Sequence, residues 1–244
     1  MLTLGLVLAL GQTIEDSEIP ATALLNEDGT PILNEDGEYI LTETATYEDF
    51  TGYTEVDTGG HITVTANKLT GVVPETAESY VYKDFTADYF DGDYEMQWQM
   101  NVASSSEHAG LGVLVLANDI DDCRALDVAS KGMHVRVTGT TAVDWDLKLC
   151  LEWQGTSNNV NALSYATDYY CTLTRDDDGG ASSKGRYVLT VYSDTGRTSV
   201  VGTATVDSSA IQKDWRYLYP MSAYKIGDSD IASVVVDNLN IVTP

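Results

Sequence analysis

Between Tyr94 and Val102 apolar and polar side chains alternate without a break: Tyr94, Met96, Trp98, Met100 and Val102 against Glu95, Gln97, Gln99 and Asn101. A period of two is the pattern of a strand with one face on a core and the other in water. Ile62, Val64 and Ala66 alternate with Thr63, Thr65 and Asn67 in the same way. Residues 111–117 are continuously apolar, which predicts a central strand covered on both faces. Further strands are predicted at 134–137, 147–153, 169–174, 187–192, 199–206, 217–224 and 233–242. No segment of helical length carries a 3.6 period, and turn clusters such as Asp176-Asp177-Asp178-Gly179-Gly180 and Asp194-Thr195-Gly196 divide the strands. Roughly ten strands with two sheet faces to fill predict an all-β sandwich over residues 47–244.

The first 46 residues read differently. Leu2, Leu4, Leu6, Leu8 and Leu10 fall on one face at period two, with Thr3, Gly5, Val7 and Ala9 opposite. This stretch is about half the length needed to span a bilayer and has no basic flank. It reads as a first strand of the chain's own sheet, as an arm that adds to a neighbouring subunit, or as a removed signal peptide. An eight-residue repeat follows: Leu24-Leu25-Asn26-Glu27-Asp28-Gly29 and then Ile32-Leu33-Asn34-Glu35-Asp36-Gly37. In each unit an apolar pair precedes a turn whose Gly supplies the positive φ. Units this small need a larger surface to pack on: they read as a β-meander skirting the main domain, or, with Leu24, Leu25, Ile32, Leu33 and the terminal leucines docking on a partner, as an extended, β-prone arm.

Charge narrows the partners. Lys+Arg 13 against Asp+Glu 38 gives a net charge of −25. A chain so acidic lacks the basic footprint that nucleic acids and anionic membranes require. Lys68 is the first basic residue, so the arm is expected to meet a basic partner surface. The 43% of hydrophobic residues excludes a wholly disordered chain. Cys123, Cys150 and Cys171 are odd in number and lack framework spacing, so they read as buried thiols of a protein made in a reducing cytosol.

Candidate chemistry is sparse. His61, His108 and His134 lie apart from one another and from the cysteines, which leaves zinc and triad chemistry unsupported. Asp119, Asp121 and Asp122 supply hard oxygen ligands in one loop and are the candidate calcium site, although aspartates are also ordinary turn formers. Trp145, between Asp144 and Asp146, is the candidate sugar platform, because an aromatic face flanked by acceptors suits a hydroxyl-rich ring. Trp98 and Trp215 sit in apolar alternation and are expected in the core. Asp91, Asp93 and Glu95 share a spacing of two, but Gly92 marks a turn there rather than a catalytic strand.

The run Tyr47-Glu48-Asp49-Phe50-Thr51-Gly52-Tyr53, with Tyr80-Val81-Tyr82-Lys83-Asp84-Phe85, Tyr89–Glu95 and the closing Val235–Asn240 segment, resembles a concanavalin A-like (LamG-like) jelly-roll domain. The resemblance covers about residues 47–244. Glycosidases of this class carry two carboxylates in a Glu-x-Asp-x-x-Glu spacing, which is missing here, so the chain is expected not to be an enzyme. The Leu-Leu-Asn-Glu-Asp-Gly repeat is similar to tracts of phage virion proteins. That resemblance implies a virion structural protein made in the host cytoplasm, a capsid decoration held through its arm by the major capsid protein or other virion subunits. It also implies homo-oligomers. The alternative is a carbohydrate-binding adhesin or tail-associated receptor-binding module that recognises glycans, with no cofactor beyond calcium. A glycoside hydrolase is the third reading.

Overall fold

The computed structural model describes Leu33 and residues 46–242, except 88, 107–108, 130, 142, 152–155, 181–184, 209–213 and 225–229. The chain divides into two compact units, Met1–Thr46 and Tyr47–Pro244. Leu2, Leu4, Leu6, Leu8, Leu10, Leu24, Leu25 and Ile32 lie outside the described residues, and Leu33 is exposed.

The second unit holds fourteen named strands in two seven-stranded sheets. Sheet I is formed by β1 (Thr54–Asp57), β4 (Ser79–Asp84), β13 (Tyr217–Ala223), β6 (Gly110–Ala117), β7 (Gly132–Gly139), β8 (Asp144–Leu151) and β9 (Thr156–Ser164), in that order. Sheet II is formed by β12 (Val200–Asp207), β11 (Arg186–Tyr192), β10 (Asp168–Asp176), β5 (Tyr94–Ser105), β14 (Ile231–Val242), β3 (Lys68–Pro74) and β2 (Ile62–Val64). Every strand pairing is antiparallel. The predicted all-β sandwich is therefore the fold.

The core is the set of inward positions that alternation dictates. On β5, Tyr94, Met96, Trp98, Met100 and Val102 are buried while the intervening polar residues are half-buried on the outer side. From the facing sheet come Leu111, Leu114, Leu116, Met133, Val135, Leu147 and Leu149. Each such side chain contributes roughly 1.5–3 kcal/mol when fully buried. Trp98 and Trp215 lie in this core as expected, and the Trp215 indole N–H donates to Tyr187 at 2.9 Å.

β6 is buried at all eight positions because something covers its outer side too. That cover is α1 (Cys123–Val128), the one α-helix among the described residues. Asp122 caps it, its carboxylate accepting the Ala125 N–H at 3.0 Å. Cys123 and Leu126 then pack on Val115, Ala117, Tyr217 and Tyr219. At Gly112 a β-carbon would meet Val115 at 2.9 Å, the Cys123 sulfur at 3.1 Å and the Ser222 carbonyl at 3.2 Å, so only glycine lets β6 bulge this close beneath α1. Six residues are too few to show a helical period.

Candidate functional site

On sheet I the outward positions of β7 are His134, Arg136 and Thr138, since Met133, Val135 and Val137 point into the core. The outward positions of β8 are Asp146, Lys148 and Cys150 by the same rule. Register then fixes neighbours: Arg136 stands opposite Lys148, Lys148 opposite Asn159, and His134 opposite Cys150. Tyr224, just past β13, brings its ring against the Arg136 guanidinium, 4.0 Å from ring centre to carbon. Arg124 of α1 reaches the same tyrosine, donating to its hydroxyl at 3.1 Å.

Three cations thus converge in a chain of net charge −25. Lys83, Lys131, Arg175, Arg186 and Arg216 each pair with a carboxylate. Among the described residues Arg136 and Lys148 form no ion pair, and the Arg136 Nε is buried without a hydrogen-bond partner. Two adjacent strand positions lie about 5 Å apart, which lets one anionic group meet both cations.

One internal carboxylate already sits at the edge of this cluster. Asp127 of α1 accepts the Tyr224 hydroxyl at 2.6 Å and is buried. Its other oxygen is 3.9 Å from His134 Nδ1, too long for a hydrogen bond. Burial, reinforced by Arg136 and Lys148, pushes His134 down to about 3, so this contact is not an ion pair at neutral pH. The His134 Nε2 is buried with no partner among the described residues. Burial pushes the Tyr224 phenol up to about 12, which keeps it a proton donor. The arrangement can hold a carboxylate between the Arg136 guanidinium and the Lys148 ammonium. Proton transfer through His134, which is 1% exposed, requires α1 to move aside.

The residues singled out in the sequence go elsewhere. Trp145 is no sugar platform: it is fully buried, its ring edge-on to Tyr169 and its N–H donating to the Ser164 carbonyl. Strand alternation turns it inward and leaves Asp144 and Asp146 outside. Asp144 accepts from the Thr140 and Thr141 hydroxyls, which hold its carboxyl below the usual range. Asp146 accepts the Ala162 N–H at 3.0 Å. In the proposed calcium loop Asp119 pairs with Lys131, Asp121 accepts the Asp122 N–H, and Asp122 caps α1. These bonds use the three carboxylates on the protein itself, and no cluster of three metal-ligating side chains occurs among the described residues. Cys123, Cys150 and Cys171 are free and buried, and burial pushes Cys150 up to about 11.

No family profile and no curated protein matches the sequence. Solved structures do match by shape. A legume lectin-like domain from Entamoeba histolytica covers 84% of this chain and 99% of its own, at 10% identity and a TM-score of 0.54. A variant of alginate lyase Aly36B in complex with alginate trisaccharide covers 82% and 94%, at 11% identity and a TM-score of 0.50. The fold is that of a lectin-like jelly roll. The marine PL7 alginate lyase AlyA1 from Zobellia galactanivorans also matches, with 85% of each chain covered, 16% identity and a TM-score of 0.46.

These likenesses correct the expectation of a non-enzyme. The missing Glu-x-Asp-x-x-Glu spacing argues against one glycosidase chemistry only, and alginate lyases share this sandwich. They offer no support for the virion reading.

Proposed function

We propose that this jelly roll binds an acidic polysaccharide along the outer face of sheet I. The observation that carries the reading is the adjacent, unpaired Arg136 and Lys148 in a chain otherwise dominated by carboxylates. Charge-assisted hydrogen bonds from such groups to a carboxylate are about twice as strong as neutral ones. Tyr224 spends its one O–H on Asp127, a bond that shows a carboxylate already drawn to the edge of this cluster. A lectin-like domain and an alginate-bound lyase among the structures of like fold support a sugar as the carrier of that carboxylate.

A second reading, elimination chemistry at the same face, is favoured by the phenol of Tyr224 standing against the Arg136 guanidinium. Removing a proton next to a carboxylate needs that carboxylate neutralised and a proton carrier nearby. Affinity electrophoresis through gels containing alginate tests the binding. The wild-type protein is expected to be retarded, and Arg136→Ala with Lys148→Ala to migrate freely; equal migration of both sinks the assignment. Ultraviolet absorbance of an unsaturated product, read on the same mixtures, tests the elimination.

A further inference from the structure

Sheet II presents an outer face of another kind. One row crosses five strands in register: Lys68 on β3, Asp237 on β14, Gln99 on β5, Tyr170 on β10 and Tyr192 on β11. The neighbouring row runs Asn240, Gln97, Thr172, Thr190 and Thr203. No helix covers these rows among the described residues, and apart from Lys68 and Asp237 the side chains are amides, hydroxyls and phenols.

Two hollows lie on this face. The first, about 250 Å³, is lined by Lys68, Gln99, Asn101, Asp168, Val235 and Asp237. The second, about 310 Å³, lies at the other end of β5 and β10 beside Glu95, Thr174 and Asp176. Glu95 and Asn101 mark the two ends, about 20 Å apart along the strand. Gln97 and Gln99 lie on the line between them.

The first hollow contains groups the protein leaves unsatisfied. Among the described residues the Asp237 Oδ1 is buried without a hydrogen-bond partner, a state that stays unfavourable until a donor arrives. Among the described residues Lys68 forms no ion pair, and Asn101 spends its amide N–H on Asp168 at 2.7 Å, which leaves its carbonyl open. An unmet acceptor, a free cation and an open amide oxygen suit a ligand that donates and accepts from one group, as a sugar hydroxyl does. Charge decides which sugar. Asp168 and Asp237 outnumber Lys68 in the first hollow, and Asp93, Glu95 and Asp176 surround the second, where Arg175 is already tied to Asp177. A polyuronate is repelled here. We propose that the outer face of sheet II is a second saccharide site, taking a neutral, hydroxyl-rich oligosaccharide laid along β5 between the two hollows, with Asp237 and Gln99 as its principal contacts.

Affinity electrophoresis of the full chain through gels containing a neutral mixed-linkage β-glucan or a galactomannan tests this site, with an alginate gel run alongside. Retardation by a neutral polymer is expected, reduced tenfold or more in both Asp237→Asn and Gln99→Ala, and unchanged in the variant lacking Arg136 and Lys148. Gln99 faces outward, so Gln99→Ala should melt at the wild-type temperature, and Asp237→Asn, which removes the charge from a buried unmet acceptor, should melt no lower than the wild type. In the unaltered protein, titration with a neutral glucan hexaose should shift the Gln99 side-chain amide resonances, a readout that needs no variant. Absence of retardation in every neutral gel, retardation indifferent to Asp237 and Gln99, or a Gln99 amide that does not move overturns the proposal. Loss of alginate binding alone strikes the sheet I reading and leaves this one standing.

Discussion

The outer faces of the two sheets obey one pleat and end in opposite chemistry. On sheet II no helix among the described residues covers the outward side chains of β5 and β10, which are Gln, Asn, Thr and Tyr with Glu95, Asp168 and Asp176 toward the ends. On sheet I, α1 lies over β6 and β7, so Val115, Ala117 and His134 are buried although they point away from the core. Where an outer face is covered, charges become conspicuous: His134 loses its proton affinity, Tyr224 holds its proton, and Arg136 and Lys148 stand without counter-ions among the described residues. The difference teaches that in a strongly acidic chain an unpaired cation says more about a ligand than any number of carboxylates does.

Removing the cations should break the comparison most visibly. Arg136→Ala with Lys148→Ala forfeits two charge-assisted bonds, each worth roughly 1.5 kcal/mol or more. Binding to acidic polysaccharide should weaken about 100-fold or more, read by titration calorimetry, while neutral-glucan binding holds.

Acid should next separate the faces through His134. Its ordinary value is 6.5 and the folded one about 3, so between these pH values the unfolded chain holds a proton that the folded chain refuses. Stability attributable to this group is complete above about 6.5, falls as the pH drops, and levels off below about 3. At pH about 4.5 the loss amounts to about 3 kcal/mol. Denaturant midpoints measured across this range should fall more steeply in the wild type than in His134→Gln. Parallel curves for the two proteins would show that His134 is not buried uncharged.

A smaller effect is expected from Asp127→Asn. The Tyr224 hydroxyl keeps an acceptor in the amide oxygen, so the stability cost should stay within about 1 kcal/mol. A negative charge at the edge of the cation cluster disappears, and acidic polysaccharide should bind several-fold more tightly in calorimetry. Weaker binding would mean that Asp127 positions Tyr224 for the ligand instead of occupying its place.

Much of this architecture was readable along the chain. The alternation of β5, the solid apolar run of β6 and the burial of Trp98 and Trp215 followed from period alone. The aspartates on either side of Trp145 suggest a polar setting that the structure does not give it. The alternation Trp145, Leu147, Leu149 and Leu151 already turned it inward, and that was the signal to weigh. β9 escaped because an edge strand with Thr, Ser and Asn at most positions has no apolar face to display. The cation cluster could not be seen at all. Arg136 and Lys148 lie twelve residues apart and Tyr224 lies far beyond both, and only strand register and the close of β13 bring them together.

The least effect should come from salt, and its asymmetry is the sharpest test of the contrast between the faces. An anionic ligand held by Arg136 and Lys148 gains from Coulomb attraction that mobile ions screen, the Debye length shrinking from about 10 Å at 0.1 M to about 3 Å at 1 M. Hydrogen bonds from sugar hydroxyls to Asp237 and Gln99 carry little net charge attraction for salt to screen. Raising the salt over that range should therefore weaken acidic-polysaccharide binding several-fold and leave neutral-glucan binding unchanged within error. Equal sensitivity would mean that one face serves both ligands. Equal indifference would mean that Arg136 and Lys148 hold no carboxylate, and that the cations are unpaired for a reason unconnected with sugar.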